Sequence, residues 1–301
     1  MAAIFFLKSC GTRPSTRVAL LLTIALALVP SLANAVFLVG PIASGTGGAG
    51  IAAIDPSESA LLNPASLAEL QKYYAGAHFG LGTLDNESKV HQYGVLLSDG
   101  TPSNIFAGAL SYNRKILEDK SGNETKYQDI QLAIGGFPIA HLAFGIAGHR
   151  LMSSSQEGEF DQDNLHLGLL YGFTPNFGVG LVGYDVLPVS DSVPVSMQIV
   201  PAWGLGTNIV LSQFFHFRFD ILRQDRFNDE KKLDYAAGME TLFQNGWIFR
   251  LGGHWFGVTG KTNITAGLGF KGPRLSFDYS FQKEVQSDKG IMHLIDLWLP
   301  F

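Results

Sequence analysis

From Tyr73 to Phe301, apolar and polar side chains alternate in about fourteen segments, and no helical period interrupts them. The segments fall near 73–84, 88–98, 104–117, 124–137, 140–152, 160–173, 177–187, 195–210, 213–223, 232–243, 247–257, 262–271, 274–283 and 291–301. Each is close to the roughly 9–11 residues that a tilted strand needs to cross a bilayer. In 274–283, Leu275, Phe277, Tyr279 and Phe281 share one face, and Arg274, Ser276, Asp278 and Ser280 share the other. Phe215, Phe217 and Phe219 oppose His216, Arg218 and Asp220 in the same way. This period makes strands that are buried on one side only. A soluble sandwich or propeller would alternate too, but would not turn such long, nearly uncharged apolar faces outward. The apolar set is therefore expected to meet lipid, and the polar or small set a lumen. An open sheet edge in hydrocarbon would leave backbone donors and acceptors unpaired, so the sheet must close. The expected fold is all-β: a transmembrane antiparallel β-barrel of about 14 strands over 73–301.

Composition points the same way. Hydrophobic residues make up 46% and charged residues 16%, where a soluble domain carries about 25% charged. Only the leader has a long apolar run, Val18 to Val29, and it is short for the roughly 20 residues of a spanning helix. Lys8, Arg13 and Arg17 precede it and Ala33-Asn34-Ala35 follows. The segment 1–35 reads as a cleavable signal peptide, with an uncleaved anchor as the weaker alternative. Cys10 leaves with it, so neither disulfides nor thiol chemistry are expected of the mature chain. Removing the three basic leader residues leaves 18 cations against 26 acids, a charge of −8. That argues against a nucleic-acid partner, which calls for a basic surface.

The connections alternate in character. Pro138-Ile139, Thr174-Pro175-Asn176, Gln244-Asn245-Gly246 and Lys271-Gly272-Pro273 are tight turns, where Gly and Asn reach positive φ and Pro fixes it. Asp85 to Ser88, Glu118 to Glu124, Ser153 to Gln162, Gln224 to Lys231 and Glu284 to Lys289 are longer and polar. Short periplasmic turns and longer outer loops are the habit of outer-membrane barrels. Tyr73, Tyr74, Trp247, Trp255, Trp298 and Phe301 lie at strand ends, where interfacial aromatic girdles are expected. The last strand ends on an aromatic residue, Phe301, and this resembles the insertion signal of bacterial outer-membrane barrels. The expected location is thus the bacterial outer membrane, with its lipid and the barrel-assembly machinery as partners.

Residues 36–72 depart from this pattern and read as an N-terminal helical plug at or inside the periplasmic mouth. Asp55 is placed to cap a helix, with Pro56 at its first position and Glu58 reaching back. Asn63-Pro64 should end that helix and start a second short one through Leu70. Gly45 to Gly50 formally matches a dinucleotide-binding glycine motif, but no βαβ pattern follows. Glycines that let backbone lie close to a wall are the better reading. The stretch Ala49 to Leu67, with Asp55, Ser57 and Leu62-Asn63-Pro64-Ala65, resembles the amino-terminal hatch of the FadL-like outer-membrane barrels. That superfamily includes hydrophobic-compound channels of the FadL/TodX type and PorV/PorQ-type barrels associated with secretion. Only Asn63, Pro64 and Ala65 match a motif.

The inward faces carry Arg218, Asp220, Asp234, Glu240, Arg250, His254, Arg274, Asp278 and Asp296. They are either a latch on the plug or polar track for a permeant, or a ladder of mutually neutralised charges; burial demands partners in both cases. Leu170, Leu242, Phe256 and Leu294 are expected to offer the lumen apolar contacts. His149 near Ser153 to Ser155, and His254 with Asp234, can be drawn as acid–base pairs, but no spacing specifies a nucleophile, base and orienting group. The histidines look scattered, without the spacing of a metal site. No enzyme, cofactor or metal is expected. The resemblance implies a channel for small hydrophobic molecules of the fatty-acid or aromatic-hydrocarbon type, gated by the plug. The alternative it implies is a barrel that serves secretion or assembly partner proteins.

Overall fold

A computed structural model describes residues 40–101, 104–188, 192–194, 197–212, 214–225, 231–257 and 259–301. The expected signal peptide lies outside these residues. Fourteen antiparallel strands form one closed barrel: β1 (Tyr73–Thr83), β2 (Lys89–Asp99), β3 (Ala107–Glu118), β4 (Glu124–Ile139), β5 (Leu142–Ser155), β6 (Gly158–Thr174), β7 (Phe177–Tyr184), β8 (Ala202–Ser212), β9 (Phe215–Asp225), β10 (Lys231–Leu242), β11 (Trp247–Phe256), β12 (Lys261–Lys271), β13 (Ser276–Glu284) and β14 (Ile291–Pro300). Each strand pairs with its sequence neighbours, and β14 pairs with β1 from Tyr74↔Pro300 to Thr83↔Ile291. The Phe301 N–H donates to the Tyr73 carbonyl at 2.9 Å and carries that ladder to its last residue. Closure leaves no unpaired edge, the condition a sheet must meet in hydrocarbon. Among the described residues no helix is long and apolar enough to cross a membrane; the crossing is made by strands.

Outward positions carry the apolar belt. Phe79, Leu97, Leu132, Phe144, Phe217, Phe219, Phe249, Leu251 and Leu297 are all exposed. Their in-strand neighbours point inward and are small or polar, as in Ser276, Asp278 and Ser280 of β13. Tyr73, Trp247, Trp255 and Phe301 are exposed at the strand ends. Trp298 and Tyr74 are corrections to the girdle. Trp298 is 5% exposed, tilts against Tyr74 at 5.6 Å between ring centroids, and donates its indole N–H to Asp278 at 3.1 Å. Its place in the alternation, in phase with Leu294 and Asp296, puts it inside.

The connection between β7 and β8 is the part of the wall that strand alternation did not foresee. The alternation starts a strand at 195; positions 195 and 196 lie outside the described residues, and over 197–201 no strand forms, since β8 begins at Ala202. Val193, Met197, Ile199 and Val200 are instead buried, so the described part of this outer connection folds inward. Gln162 holds it: its side-chain amide donates to the Met197 carbonyl at 2.9 Å, and its carbonyl accepts from the Ile199 N–H at 3.1 Å.

The rest of the core is the plug. It consists of α1 (Pro41–Gly45), α2 (Ser59–Leu62) and a 3₁₀ helix over Pro64–Glu69. Ala60, Leu67 and Leu70 pack against Leu96, Ala107, Ala109, Ala133 and Ala147 of the wall. Ile51 packs against Val182, Tyr184 and Ala202, and Ala52 and Ala65 against Ala143 and Leu170. Around Ala60, Leu67 and Leu70 most of the wall residues are alanines, which leaves room for the bulkier plug side chains.

Candidate functional site

The plug is joined to the wall through charges and backbone amides. Asp55 does not cap a helix. Its carboxylate accepts two hydrogen bonds from Arg218 on β9, at 2.5 and 3.1 Å. Glu58 reaches further back than a capping box allows: its two oxygens accept from the Ile42 and Ala43 N–H groups, at 2.6 and 3.0 Å. It thus caps α1, across the plug, and its own helix begins only at Ser59. The reason is that a barrel wall offers Asp55 a guanidinium, and a charged pair outweighs a local amide contact. Burial, with Asp55 as the second cause, pushes the Glu58 carboxyl up to about 8 against the pull of its two amide donors.

Asp220 accepts from the Gly50 and Ile51 N–H groups at 2.7 and 2.9 Å. Glu240 and Asp278 flank Arg250, each at 2.6 Å, and Glu240 also lies 3.6 Å from Arg218. Asp234 accepts from the Gln224 side chain and the Gly257 N–H, both at 2.8 Å. Asp296 is buried on β14 in register with Asp278 and His78. The lumen thus holds both alternatives drawn from the sequence: Arg218 and Asp220 grip the plug, and Glu240, Arg250 and Asp278 neutralise one another. Arg274 is the exception. It is exposed in the turn before β13, because Gly272 bonds to the Leu275 carbonyl and holds 272–275 outside the strand.

Asn63, Pro64 and Ala65 are buried. Asn63 ends α2, and its side-chain oxygen accepts from the Ala65 N–H at 3.1 Å. Its amide donates to the carbonyls of Ile51 at 2.8 Å and of Leu169 on β6 at 3.1 Å. One side chain therefore caps the 3₁₀ helix, ties the plug to itself and ties it to the wall. Further grips were not singled out in the sequence: Gln131 to the Ala60 carbonyl, Thr265 to the Gly45 carbonyl, Ser280 and Gln282 to the Ser44 hydroxyl, and Tyr184 to the Leu62 carbonyl. Inward placement by period two was their only available signal. The glycine motif has a packing role. Gly47 has φ +74°, and an added Cβ would stand 2.5 Å from the Gly253 backbone.

On the outer side of the plug lies a cavity of about 320 Å³. Gly48, Ile51 and Leu62 of the plug form its floor. Val90, Leu222, Phe256, Met292 and Leu294 give it apolar walls, while Gln92, Lys115, His254 and Gln282 give it polar ones. Thr83, Leu84, Glu284 and Gly290, at the outer strand ends, form its rim. His254 stacks on Phe256 with ring centroids 3.9 Å apart. Neither histidine pair drawn from the sequence forms a catalytic unit. Asp234 is occupied as described, and the Ser153 hydroxyl donates to the Phe160 carbonyl. The reading of scattered histidines is corrected in one place, since His149, His166 and Asp185 bring three donor atoms within 4.8 Å of one another. They come from β5, β6 and the residue after β7, a convergence that linear spacing does not encode.

A closed barrel of fourteen strands with a hydrogen-bonded N-terminal plug invites comparison with solved membrane channels. The chain matches the CymD monoaromatic hydrocarbon channel at TM-score 0.68 and 16% identity, over 89% of this chain and 99% of that one. It has the FadL-type barrel fold. The Ralstonia pickettii toluene transporter TbuX matches at TM-score 0.67 and 12% identity, over 88% of this chain and 99% of the other. A Pseudomonas aeruginosa FadL homologue matches at 0.61 and 10%, over 91% and 99%. No protein-family model matches the sequence, and no curated protein does. At such identities the FadL-type likeness is one of fold, and it covers wall and plug together.

Proposed function

We propose that this protein is a passive outer-membrane channel for small hydrophobic molecules, closed by its N-terminal plug and opened by the plug's rearrangement. The observation that carries this reading is the half-apolar cavity that runs from the outer rim to the plug surface. A solute that has crossed the rim meets Leu222, Phe256 and Leu294, then the plug residues Gly48, Ile51 and Leu62. Solved channels of the same fold are described as carrying monoaromatic hydrocarbons or toluene, which supports an apolar cargo. A barrel acting only as a secretion or assembly partner needs no such cavity, so the cavity favours transport. Lys115 refines the cargo. It lines the cavity, and among the described residues no carboxylate lies within salt-bridge distance of it. An amphipath with one carboxylate would supply the missing partner.

The test is uptake of labelled fatty acids and of labelled aromatic hydrocarbons, in cells with and without the gene. Faster uptake with the gene is the expected result, and equal uptake in both strains counts against transport. Lys115→Ala should slow uptake of the acids several-fold and leave neutral hydrocarbons unchanged.

A further inference from the structure

We propose that His149, His166 and Asp185 form a binding site for one divalent transition-metal ion of the zinc, nickel or copper kind, set in the barrel wall beside the plug. The argument begins with the lone pairs. His149 is 6% exposed and lies between two carboxylates: its Nδ1 is 2.7 Å from Asp129 Oδ1, and its Nε2 is 2.8 Å from Asp185 Oδ1. Asp129 can only accept, so it takes the Nδ1–H. Asp185 Oδ1 faces Nε2 at hydrogen-bond distance, so the gap is bridged either by a second ring proton, which makes His149 an imidazolium between two carboxylates, or by a metal ion bound to both atoms. His166 brings a second imidazole nitrogen to the same carboxylate. Its Nδ1 accepts from the Asp185 N–H at 3.1 Å, which keeps that nitrogen unprotonated and turned toward the same residue. His166 Nδ1 is 3.9 Å from Asp185 Oδ1.

Ligands about 2.0–2.2 Å from an ion stand roughly 2.8–4.2 Å apart, and both separations from Asp185 Oδ1 fall in that range. A modest rotation of the His166 ring, giving up its contact with the Asp185 N–H, completes the set. Asp129 supplies the outer carboxylate that commonly orients a metal-bound imidazole and fixes its tautomer. Asp185 has φ +52°, in the left-handed region, and this turns it out of the strand at the end of β7. A conformation of that kind is found where the surroundings impose it. The two rings lie 4.4 Å apart, and Tyr184 stands edge-on to His166 at 5.4 Å. Two imidazoles and a carboxylate select borderline ions over calcium or magnesium, which take oxygen donors.

The test uses the full mature barrel in detergent, stripped with a chelator and titrated with Zn²⁺ by calorimetry. Co²⁺ gives a second reading through its visible absorption. One saturable equivalent is expected, unaffected by a large excess of Mg²⁺ or Ca²⁺. His166→Ala and Asp185→Asn should each weaken it more than tenfold while circular dichroism stays that of the folded barrel. Asp129→Asn, which spares every ligand, should weaken it by about 10–100-fold. Absence of saturable binding overturns the proposal, and so does binding that survives both ligand substitutions. Should either ligand variant fail to fold, the Co²⁺ spectrum of the unsubstituted protein decides: no nitrogen-ligated absorption means no site.

Discussion

Arg218 is the side chain whose loss of a partner should be felt most. It is 5% exposed, bridges wall to plug through Asp55, and touches Glu240. Removing one member of a buried pair leaves an uncompensated charge, at a cost of roughly 3–5 kcal/mol. Asp55→Ala should therefore lower the thermal unfolding midpoint and raise small-solute leakage through the reconstituted barrel, with leakage read by liposome swelling. Wild-type leakage in this variant would mean that the plug is held without the pair. Glu58 gives a pH dependence. Its carboxyl is raised to about 8 when docked and titrates near 4.5 when exposed. The docked plug thus holds the proton more tightly, and docking is fully stabilised below about 4.5. That stabilisation is lost as pH rises through 8. Protease cleavage within 40–72 should increase over that window, and Glu58→Gln should flatten the profile.

Among the elements, the plug and the strands that receive it fit by backbone contact as much as by side chains. Added Cβ atoms at Gly238 or Gly252 would collide with Thr46 or Gly47 at 2.3–2.4 Å. This is why the turn that follows α1, at Thr46 and Gly47, can lie flat on β10 and β11. Gly47→Ala adds a methyl where φ is positive and where the Gly253 backbone stands in the way. We expect it to unseat the first turn of the plug without unfolding the barrel. Leakage should rise, and strand content by circular dichroism should stay constant. Deleting 44–65 is the stronger form of the same experiment. Unchanged leakage there would mean that the wall closes the pore unaided.

For the whole molecule, the solvent decides which face is stable where. The barrel turns Phe, Leu and Ile outward and Asp, Arg and Ser inward, the reverse of a soluble protein. The leaderless polypeptide should accordingly aggregate in plain buffer and fold only with detergent or lipid. A monomeric, folded species without detergent, seen by analytical ultracentrifugation, would contradict a membrane barrel. At the outer rim the loops are joined by ion pairs. Lys261 bonds Asp85, and Glu87 is shared by Lys120 and Lys289. Exposed pairs of this kind contribute little stability individually.

The alternation of residues along 73–301 was enough to indicate about fourteen strands, most of their facing and the closed cylinder, because in a bilayer each side chain's polarity dictates its side of the wall. It also located the eight lumen charges that stayed inward, from Arg218 to Asp296. What it could not specify was contact at long range. Arg274 has the parity of an inward residue, yet a turn holds it outside. Trp298 has the composition of a girdle residue, yet Asp278 receives it within. The Asp55–Arg218 pair, the cap of Glu58 on α1 and the meeting of His149, His166 and Asp185 each join residues brought together by curvature and plug docking. Local pattern fixes which way a side chain points, and only the closed barrel determines what it meets there.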